Sequence, residues 1–429
     1  MTALPDYPVT LLMRTGLAAR YDHCEAMFQL GLRIHLVTED PTAAADPRFA
    51  SVTVVQPGTT TGDLVEQVLT VMTETGSAFA VTFLEMDIVA AGRANHRHGV
   101  AWSRPEADAI ARDKARQRAH LQVSGLPSPV VAPITELPAD DSVFELVGRP
   151  CVVKPTQGSQ SSQVQLVGDL AQLQQALGAI SRLAESGEQH FFDDGKPRVW
   201  ALAEEYLPGE EITCDGVVVG GQFFLGGIHS KLLSEPPWFE EDMYSLPYGD
   251  EAVEFEITEL MTQLAKSLDL RTVLLNAELR RAADGQFHVV EFSTRISGGH
   301  VYRNIRDVHG IDLVRVFLLA AAGLTEPARE AAAWRHPGRV ATCIKFLYRT
   351  GVVVRNTAGE AAGDPAFRQY YPQAGPGAEV RAAPDGFDVL GLLSVWDRYV
   401  PADHPARVRA AAARVAGKLS IEVRPSGPG

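Results

Sequence analysis

The hydrophobic positions at the start of the chain alternate between short apolar runs and helical stripes. Residues 9–13, 34–37, 52–55 and 79–83 are apolar runs that predict buried strands. Residues 23–30 predict a helix, and a second helix is predicted by an apolar stripe with helical spacing. This stripe consists of Leu64, Val65, Val68, Leu69 and Met72. The alternation predicts a doubly wound domain with a parallel sheet.

The pattern changes after this first region. Residues 105–124 predict one long helix, closed by Gly125, that leads into a second domain. From Cys151 onwards, strands alternate with glycine-containing turns, and the predicted strands cover residues 152–155, 163–167, 201–207 and 215–219. The last part of the chain has further strand-like runs and a final predicted helix at residues 405–419.

Length and charge narrow the classes of function. A chain of 429 residues favours two or three domains over a single core. Its 39 basic and 53 acidic residues give a formal net charge of −14, which disfavours nucleic acid or an anionic membrane as the main partner. A polyphosphate ligand would therefore have to be bound by a local cluster of cations. No glycine-rich dinucleotide fingerprint opens the first helix, so we predict no nicotinamide cofactor.

The cysteines and the N-terminal segment bear on the compartment. Cys24, Cys151, Cys214 and Cys343 are far apart and lack metal-ligand spacing, so we expect reduced thiols in a cytoplasmic protein. The first residues lack the basic and apolar segments of a signal peptide, and no apolar run approaches the roughly 20 residues that span a bilayer. We therefore expect neither a signal peptide nor a membrane span.

Two glutamates face each other across a predicted hairpin. Residues 273–281 and 286–292 are strand-like, and the Asp-Gly pair at residues 284–285 is typical of a tight turn. A two-residue loop would place four pairs of residues opposite each other, namely Ala283 and Gln286, Leu279 and Val290, Glu278 and Glu291, and Asn276 and Ser293. Directly opposed side chains have Cβ atoms roughly 4.5 to 5.5 Å apart, so the two carboxylates would repel unless a cation neutralises them.

A divalent cation is the simplest partner for this pair. Two carboxylates that supply only part of a coordination shell suit Mg²⁺, which takes its other ligands from water and nucleotide phosphates. Arg295 lies two residues after Ser293 and is predicted on the same strand face, where a guanidinium can bind phosphate bidentately. The alternative is that the two glutamates are ordinary solvent-facing residues, and the pair by itself leaves both interpretations open.

A second candidate for phosphate binding precedes the hairpin. Lys154 lies at the end of a predicted strand, and residues 157–162 form a small polar loop that contains Gly158. Backbone amides and an ammonium group could converge there on phosphates. The loop is not a Walker loop, because its lysine precedes the glycine, and taken alone it is equally consistent with a linker.

In their order along the chain, these features resemble the ATP-grasp superfamily. Lys114, in the helix before the second domain, and Lys154 resemble a pair of lysines that the superfamily has at these places in its sequence. Residues 204–216 resemble its adenine-binding strand and ribose-binding acid. Glu278, Glu291 and Arg295 stand at the spacing of its metal and phosphate residues. The resemblance implies an α/β ATP-grasp fold with an N-terminal doubly wound parallel-sheet domain, a small strand-rich lid subdomain and a C-terminal α+β segment.

The resemblance also implies domain limits. We expect an N-terminal domain at residues 1–104, an ATP-grasp domain at residues 105–336 and a C-terminal ligase-like domain at residues 337–429. The lid subdomain would cover about residues 126–203. Homodimers that form through the N-terminal domain are common in the superfamily, and the oligomeric state of this chain is left open.

The implied ligands are ATP and two Mg²⁺ ions, with Mn²⁺ as a substitute. Lys114 and Lys154 would bind the α- and β-phosphates, Glu278 and Glu291 would hold the metal, and Arg295 would bind the transferred phosphate. A mobile flap over the triphosphate would include Gly158, Ser159, Ser161 and Ser162.

The implied nucleoside site lies near residues 204–211. Backbone groups of Glu205, Tyr206 and Leu207 would hold the adenine, with Glu204 near its amino group. Glu211 would bind the ribose hydroxyls, and its alternative is a surface acid.

One position departs from the superfamily pattern. The superfamily usually has asparagine two residues after the second metal glutamate, where this chain has Ser293. A hydroxyl binds Mg²⁺ less well than an amide oxygen does. Asn276 is predicted opposite Ser293, and we hypothesise that it restores the missing oxygen ligand.

Within the superfamily the chain looks most like the L-amino-acid ligases, which join an amino acid or related carboxylate to an amine through an acyl phosphate. The segment before the hairpin contains His229 and Lys231, for which a substrate role and a plain loop role are both open. Arg295 and the amides of Gly298 and Gly299 would stabilise the oxyanion. Because Gly299 leaves space near the reacting carbon, we expect a substrate larger than alanine.

Two other functions remain as alternatives. One is an ATP-grasp carboxylase that activates bicarbonate, for which the nucleotide residues would look the same. The other is a non-catalytic ATP-binding regulator, which the departure at Ser293 makes worth testing. The expected partners are a small-molecule carboxylate and an amine, with neither nucleic acid nor membrane.

Overall fold

The computed structural model describes residues 3–158, 161–186, 194–195, 197–335, 338–383 and 386–425. Its first sheet is four-stranded and parallel, as predicted, with strands in the order β3-β2-β1-β4. The strands are β1 (Pro8–Leu12), β2 (Arg33–Thr38), β3 (Ser51–Val54) and β4 (Ala80–Val81), and the helices that accompany them are α1 (Tyr21–Gln29), α2 (Thr61–Thr75) and α3 (Ile88–Arg97). The strand order reverses between β1 and β4, so the loops after these two strands open a crevice at the carboxyl edge of the sheet.

The helix predicted at residues 105–124 is two helices, α4 (Ala107–Arg112) and α5 (Lys114–Val123). Asp113 between them has an extended backbone, and its carboxylate accepts hydrogen bonds from the amides at the start of α5. The single-helix prediction is therefore wrong at Asp113, a residue type that favours helix N-caps. The break makes Lys114 the first residue of α5, where its amide N–H donates to Thr156 O at 2.8 Å.

A second four-stranded sheet, the lid sheet, is antiparallel and has the order β5-β8-β6-β7. Its elements are β5 (Val131–Ile134), α6 (Ser142–Val147), β6 (Cys151–Pro155), β7 (Gln165–Val167), α7 (Leu170–Ser186) and β8 (Ala201–Glu205). Apolar side chains from the strands and both helices, including Val153, Leu177 and Trp200, give the lid a core of its own.

The large sheet has eight strands and the order β13-β12-β9-β10-β11-β14-β18-β16, with every neighbouring pair antiparallel. Its first part comprises β9 (Glu211–Val219), β10 (Gln222–Leu233), β11 (Glu241–Leu246), α8 (Glu251–Ser267), β12 (Thr272–Arg281) and β13 (Phe287–Ser293). Three helices follow, α9 (Val301–His309), α10 (Leu313–Ala321) and α11 (Thr325–Ala333).

The rest of the chain extends this sheet. Its elements are β14 (Val340–Leu347), β15 (Gly351–Thr357), β16 (Phe367–Pro372), β17 (Glu379–Val380), β18 (Gly391–Arg398), α12 (Ala406–Ala416) and β19 (Ser420–Arg424). Strands β17, β15 and β19 form a small separate sheet. The large sheet thus runs continuously across the expected domain limit at residue 337, and the three-part division of the chain stays a proposal.

The two faces of the large sheet pack differently. On one face, apolar residues such as Val218, Leu275 and Phe292 pack with Ile257 and Met261 of α8. The other face carries apolar residues that pack with α10 and, nearer the lid, a group of charged residues that forms the candidate site. Within the described ranges, no helix combines the length and the hydropathy of a membrane span.

Candidate active site

The polar residues of the predicted hairpin lie on one face of the large sheet. Alternate residues of a strand point to opposite faces, so Asn276 and Glu278 of β12 share a face, as do Glu291 and Ser293 of β13. Glu278 is paired directly with Glu291, and Asn276 with Ser293. The predicted opposition of the two carboxylates is therefore confirmed.

The hairpin reaches this register by a different route from the predicted one. The amide N–H of Ala282 donates to Gln286 O at 2.8 Å, so the loop contains three residues instead of two. Leu279 then pairs with Val289, and the prediction that it pairs with Val290 is wrong. Val290 is the extra residue of a β-bulge. The longer loop shifts the pairing of the two strands by one residue, and the bulge shifts it back by one residue. Glu278 therefore faces Glu291 as predicted.

The carbonyl of Val290, on the edge strand β13, faces a buried ion cluster. Arg118 and Lys154 both donate to this oxygen, Lys154 Nζ at 3.5 Å. Both cations also bind Glu204, with Arg118 Nε 2.8 Å from Oε1 and Lys154 Nζ 2.6 Å from Oε2. Burial lowers the pKa of Lys154 to about 8, although Glu204 opposes this shift. Glu204 is therefore held by two cations.

Arg118 is a site residue that the sequence analysis missed. It lies one helical turn after Lys114 on α5, so both side chains project from the same side of the helix. This spacing is the signal that could have identified it.

Each carboxylate of the opposed pair contacts a lysine. Lys114 Nζ is 2.8 Å from Glu291 Oε1, and Lys231 Nζ is 3.2 Å from Glu278 Oε1. Burial opposes ionisation of Glu291, but the charge and hydrogen bond of Lys114, together with the charges of Lys154 and Arg295, outweigh burial and lower the pKa of this carboxyl. At Glu278, burial prevails over the attraction of Lys231, and with the neighbouring carboxylates of Glu211 and Glu291 it raises the pKa to about 7. The positive charge of Lys231 is thus too small to offset the burial of Glu278 and the repulsion from its neighbouring carboxylates.

The oxygen atoms around the pair fit a partly coordinated cation. Ser293 Oγ is buried and has no hydrogen-bond partner among the described residues. The amide nitrogen of Asn276 donates to Thr213 Oγ1 at 3.0 Å and to Cys214 O at 3.2 Å, so its oxygen is the atom suited to a metal. In the described part of the chain, no three or more His, Cys, Asp or Glu side chains are arranged to hold a metal by themselves. A cation here would need neutral oxygens and a bound nucleotide as further ligands.

The lid sheet and the large sheet enclose a cavity of about 130 Å³, here called the lid cavity. Its lining includes most of the predicted nucleotide and metal residues, namely Lys114, Lys154, Gly158, Ser161, Ser162, Glu204, Glu205, Tyr206, Leu207, Glu211, Asn276, Glu278, Glu291, Ser293 and Arg295. Ser159 lies outside the described residues. The fold therefore brings together side chains that are spread over almost two hundred positions of the sequence.

Glu211 lies in the lid cavity at the start of β9. Its Oε1 is 2.6 Å from Lys231 Nζ, and its Oε2 is 3.2 Å from Arg280 Nη1. The guanidinium of Arg280 also lies over the rings of Tyr206 and Phe239, 5.3 and 5.4 Å from their centroids. The side chain of Glu211 is 11% exposed, so the alternative of a surface acid is wrong.

His229 and Lys231, considered together from the sequence, have different positions. Both lie in β10 and not in a loop. Lys231 bridges Glu211 and Glu278. His229 is fully buried, lines neither cavity of the site, and has a pKa lowered to about 3 by burial. The structure therefore gives no support to a catalytic role for His229, because its ring is enclosed by the packing of the sheet.

A second cavity of about 460 Å³, here called the large cavity, adjoins the lid cavity. It lies between the large sheet and the loops that follow β1 and β4. Five residues line both cavities, namely Glu85, Glu241, Asn276, Glu278 and Arg295. Apolar walls are supplied by Leu84, Met86, Phe346, Val389 and Leu392. The cavities thus meet at Glu278, one member of the glutamate pair.

Arg295 lies at this junction. Strand β13 ends at Ser293, so Arg295 belongs to the following loop, and its placement on the strand face is wrong. Its Nε is 2.6 Å from Glu85 Oε2, and its Nη1 donates to Ile296 O at 2.7 Å. Glu85, which follows β4, was missed by the sequence analysis because no local pattern connects it with residues two hundred positions away.

Asp215 fixes the loop that carries Arg295. Ser297 donates to it twice, from its amide to Oδ1 and from its hydroxyl to Oδ2, both at 2.8 Å. Burial raises the pKa of Asp215 to about 6. An acid within the apolar strand β9 is the sequence signal for this residue.

Gly298 and Gly299 line the large cavity. Gly299 has φ of +63°, a conformation that glycine adopts without strain. A Cβ atom at this position would lie 3.6 Å from Leu392 Cδ1 and 3.9 Å from Phe346 Cζ. A side chain here would therefore enter the space next to the apolar wall.

Comparison with known proteins gives a family match for the central part of the chain. Residues 147–303 match the model of the ATP-grasp domain. The chain is 24% identical over 272 residues to the alanine–anticapsin ligase of Bacillus subtilis (strain 168), a match that covers 60% of this chain and 56% of that relative. The chain thus spans about half the length of the first curated relatives it matches.

Solved structures resemble the whole chain. The L-amino acid ligase from Bacillus licheniformis has a TM-score of 0.81 at 18% identity, over 98% of this chain and 100% of that one. A biotin carboxylase from Campylobacter jejuni has a TM-score of 0.69 at 16% identity, over 97% and 92%. These likenesses show the fold. The expected resemblance to the ATP-grasp superfamily, and within it to the amino-acid ligases, is confirmed.

Proposed function

We propose that this chain, which has the ATP-grasp fold, is an ATP-dependent carboxylate–amine ligase. It would activate an amino acid or related carboxylate as an acyl phosphate and couple it to an amine, with release of ADP and phosphate. The observation that carries this proposal is the junction of two cavities at Glu278, Asn276 and Arg295. A terminal phosphate in the lid cavity would meet a carboxylate from the large cavity there. The ligases among its relatives support the same reaction class.

The lid cavity is proposed as the ATP site. Lys114 and Lys154 would bind the α- and β-phosphates, and Gly158, Ser161 and Ser162 would cover the triphosphate. Backbone groups of residues 205–207 would hold the adenine and Glu211 the ribose. Because Glu204 is already bound by Arg118 and Lys154, we propose that it positions these cations and does not contact the adenine.

The opposed glutamates are proposed as the Mg²⁺ site, with Mn²⁺ as a substitute. Glu278 and Glu291 would supply carboxylate oxygens, and Ser293 and Asn276 neutral ones. Bound Mg²⁺, proposed as two ions, would neutralise the charge that builds up when two anions approach. The unpartnered hydroxyl of Ser293 and the raised pKa of Glu278 both support a cation in this position.

The chain's own groups would handle the remaining charge. Arg295, fixed by Glu85, would bind the transferred phosphoryl group and stabilise the oxyanion formed when the amine attacks the acyl carbon. The amides of Gly298 and Gly299 lie in the same loop and would donate to that oxyanion. Closure of the flap would exclude the water that hydrolyses acyl phosphates.

A substrate matrix tests this function. Purified protein is incubated with ATP, Mg²⁺ and pairs of carboxylates and amines, and phosphate release is measured alongside mass spectrometry of the products. We expect phosphate release to require a carboxylate and to yield a condensed product when an amine is present. Phosphate release that depends on bicarbonate would identify a carboxylase, and ATP binding without phosphate release under any pairing would identify a non-catalytic protein.

We propose a cytoplasmic location for this protein. All four cysteines are buried and unpaired, which supports a cytoplasmic location. Small-molecule substrates are the proposed partners. Size-exclusion chromatography with light scattering would determine whether the chain is a monomer or a homodimer.

A further inference from the structure

Arg20 is a buried cation that faces the large cavity. It ends the short helix Leu17–Arg20 in the loop after β1 and is 8% exposed. Its Nη1 donates to Ser297 O at 2.8 Å. Within the described ranges it forms no ion pair, whereas Arg295 nearby is neutralised by Glu85. A buried guanidinium with no anionic partner is costly, so its position calls for an anionic ligand.

The place of Arg20 in the fold also indicates a ligand site. The loops after β1 and β4 line the large cavity, and the strand order of the parallel sheet reverses between these two strands. In open α/β sheets, ligands bind in the crevice at the carboxyl ends of the strands at such a reversal. Arg20 comes from the first of these loops and Glu85 from the second.

Neither the triphosphate nor the activated carboxylate fits this position. Arg20 does not line the lid cavity, where Lys114 and Lys154 meet the proposed phosphates. The carboxylate to be activated must reach the junction of the cavities at Glu278. The carboxylates of Asp215 and Glu85 act on Arg20 through their charge without forming an ion pair with it, because Asp215 accepts hydrogen bonds from Ser297 on both oxygens and Glu85 is paired with Arg295. The anion at Arg20 must therefore come from another group in the large cavity.

We infer that Arg20 binds the carboxylate of an amine substrate that is itself an amino acid. This inference rests on the proposed ligase function. A Cβ atom at Gly298 would lie 3.8 Å from Arg20 Nη2, so the guanidinium reaches the loop proposed to surround the reacting carbon. An amino acid anchored there by its carboxylate presents its nitrogen to the acyl group. The same interaction holds the C-terminal carboxylate of the condensed product, and an amine without a carboxylate lacks it.

The first test uses the unaltered protein. Condensation is measured with an amino acid and with its carboxamide as the amine substrate, at fixed ATP and acid. We expect kcat/KM for the amino acid to exceed that for the amide by about 10- to 100-fold, the usual range for a lost charged hydrogen bond. Equal values for the two amines would overturn the role of Arg20.

Hydroxylamine separates this inference from the proposed function. It is a small nucleophile without a carboxylate and traps an activated acid as a hydroxamate. If no acid gives a hydroxamate with ATP, the proposed ligase function itself fails. If hydroxamates form but the amino acid and its amide react alike, only the inference about Arg20 is overturned.

The variants Arg20→Met and Arg20→Lys assign the preference to this residue. We expect the ratio of kcat/KM for the amino acid to kcat/KM for the amide to fall close to one in Arg20→Met, mainly because the KM of the amino acid rises. In Arg20→Lys we expect a ratio between that of Arg20→Met and that of the unaltered protein. The control is Arg33→Met, at the exposed start of β2, which should keep the ratio. An unchanged ratio in a folded Arg20→Met variant would overturn the inference. If that variant does not fold, the inference is tested by the ratios measured for the Arg20→Lys variant and for the unaltered protein.

Discussion

The two cavities that meet at Glu278 are charged in different ways. In the lid cavity, the two acids on the nucleoside side already have cationic partners, with Glu204 bound to Arg118 and Lys154, and Glu211 bound to Lys231. The large cavity has apolar walls and an arginine without an anionic partner among the described residues. The lid cavity is also the smaller of the two, at about 130 Å³ against about 460 Å³.

This difference indicates separate roles for the two cavities, with the nucleotide bound in the lid cavity and the substrates selected in the large cavity. A region whose charges compensate each other before a ligand arrives is pre-organised for one ligand, which suits a nucleotide common to a whole superfamily. A larger region with apolar walls and a buried arginine that lacks an ion-pair partner places requirements on the size and the charge of its ligand. The large cavity is therefore where we expect this chain to select its substrates.

The largest expected effect comes from the junction itself. Glu291→Gln removes one carboxylate of the metal pair and leaves Lys114 without its partner. We expect turnover to fall by roughly a hundred- to a thousand-fold, on the usual scale for losing one group that stabilises transition-state charge. Steady-state phosphate release measures the loss, with Glu422→Gln on the distant strand β19 as the control. Near-normal turnover in Glu291→Gln would show that the pair is not the catalytic centre.

The charge compensation of the lid cavity can be broken at Arg118. Arg118→Met leaves Glu204 with Lys154 alone, and removing one partner of a buried ion cluster costs roughly 3 to 5 kcal/mol of stability. Arg20→Met should cost less, because it strands no carboxylate. Urea denaturation of both variants compares the two cavities directly. Equal losses in the free energy of unfolding for the two variants would contradict the proposed difference in charge compensation between the two cavities.

Selection by size can be tested at Gly299. Gly299→Asn adds a side chain towards Leu392 and Phe346, and asparagine tolerates positive φ better than most residues. We expect kcat/KM for bulky acids to fall by roughly 10- to 100-fold, in the range by which tight pockets discriminate, while alanine is still accepted. Gly285→Asn, at a hairpin turn with φ of +88° and nothing near its Cβ, is the matched control. A uniform loss for small and large acids would contradict the assignment of this wall.

The lid cavity should show a pH limit that is set by Lys154. Burial lowers the pKa of Lys154 to about 8, so the side chain is charged below this pH and loses its proton above it. We expect kcat/KM for ATP to fall by about tenfold per pH unit above pH 8, as for a single essential ammonium group. Lys154→Arg, which stays charged, should move this decline to higher pH. An unchanged profile in that variant would exclude Lys154 as its source.

The smallest effect is expected at the neutral metal ligands. Asn276→Ala removes an amide oxygen beside the glutamate pair, and we expect the Mg²⁺ concentration for half-maximal activity to rise by about tenfold. Ser293→Ala should change it less, because a hydroxyl is the weaker ligand. Magnesium titrations of both variants show which substitution raises the half-maximal Mg²⁺ concentration more. Unchanged Mg²⁺ dependence in Asn276→Ala would count against the hypothesis that this residue replaces the usual asparagine.

Local patterns in the sequence determined the elements and the faces of the strands. Alternation of apolar and polar residues in β12 and β13 was enough to place Glu278 and Glu291 on one face of the sheet, because side chains along a strand repeat every second residue. The register came out correctly only because a longer loop and a bulge offset each other. The resemblance to a known superfamily supplied Lys114, Lys154 and Glu211, which line the lid cavity.

Tertiary structure alone decided which charges meet. Arg20 reaches Ser297 across 277 positions of the sequence, and Glu85 reaches Arg295 across 210. It also buried His229 and set Lys231, two residues further along the same strand, between two carboxylates. Hydrophobic periodicity is a local property and determines which side of a strand is buried. The partner of a buried charge depends on how separate sheets pack together, and no short-range pattern in the chain encodes that packing.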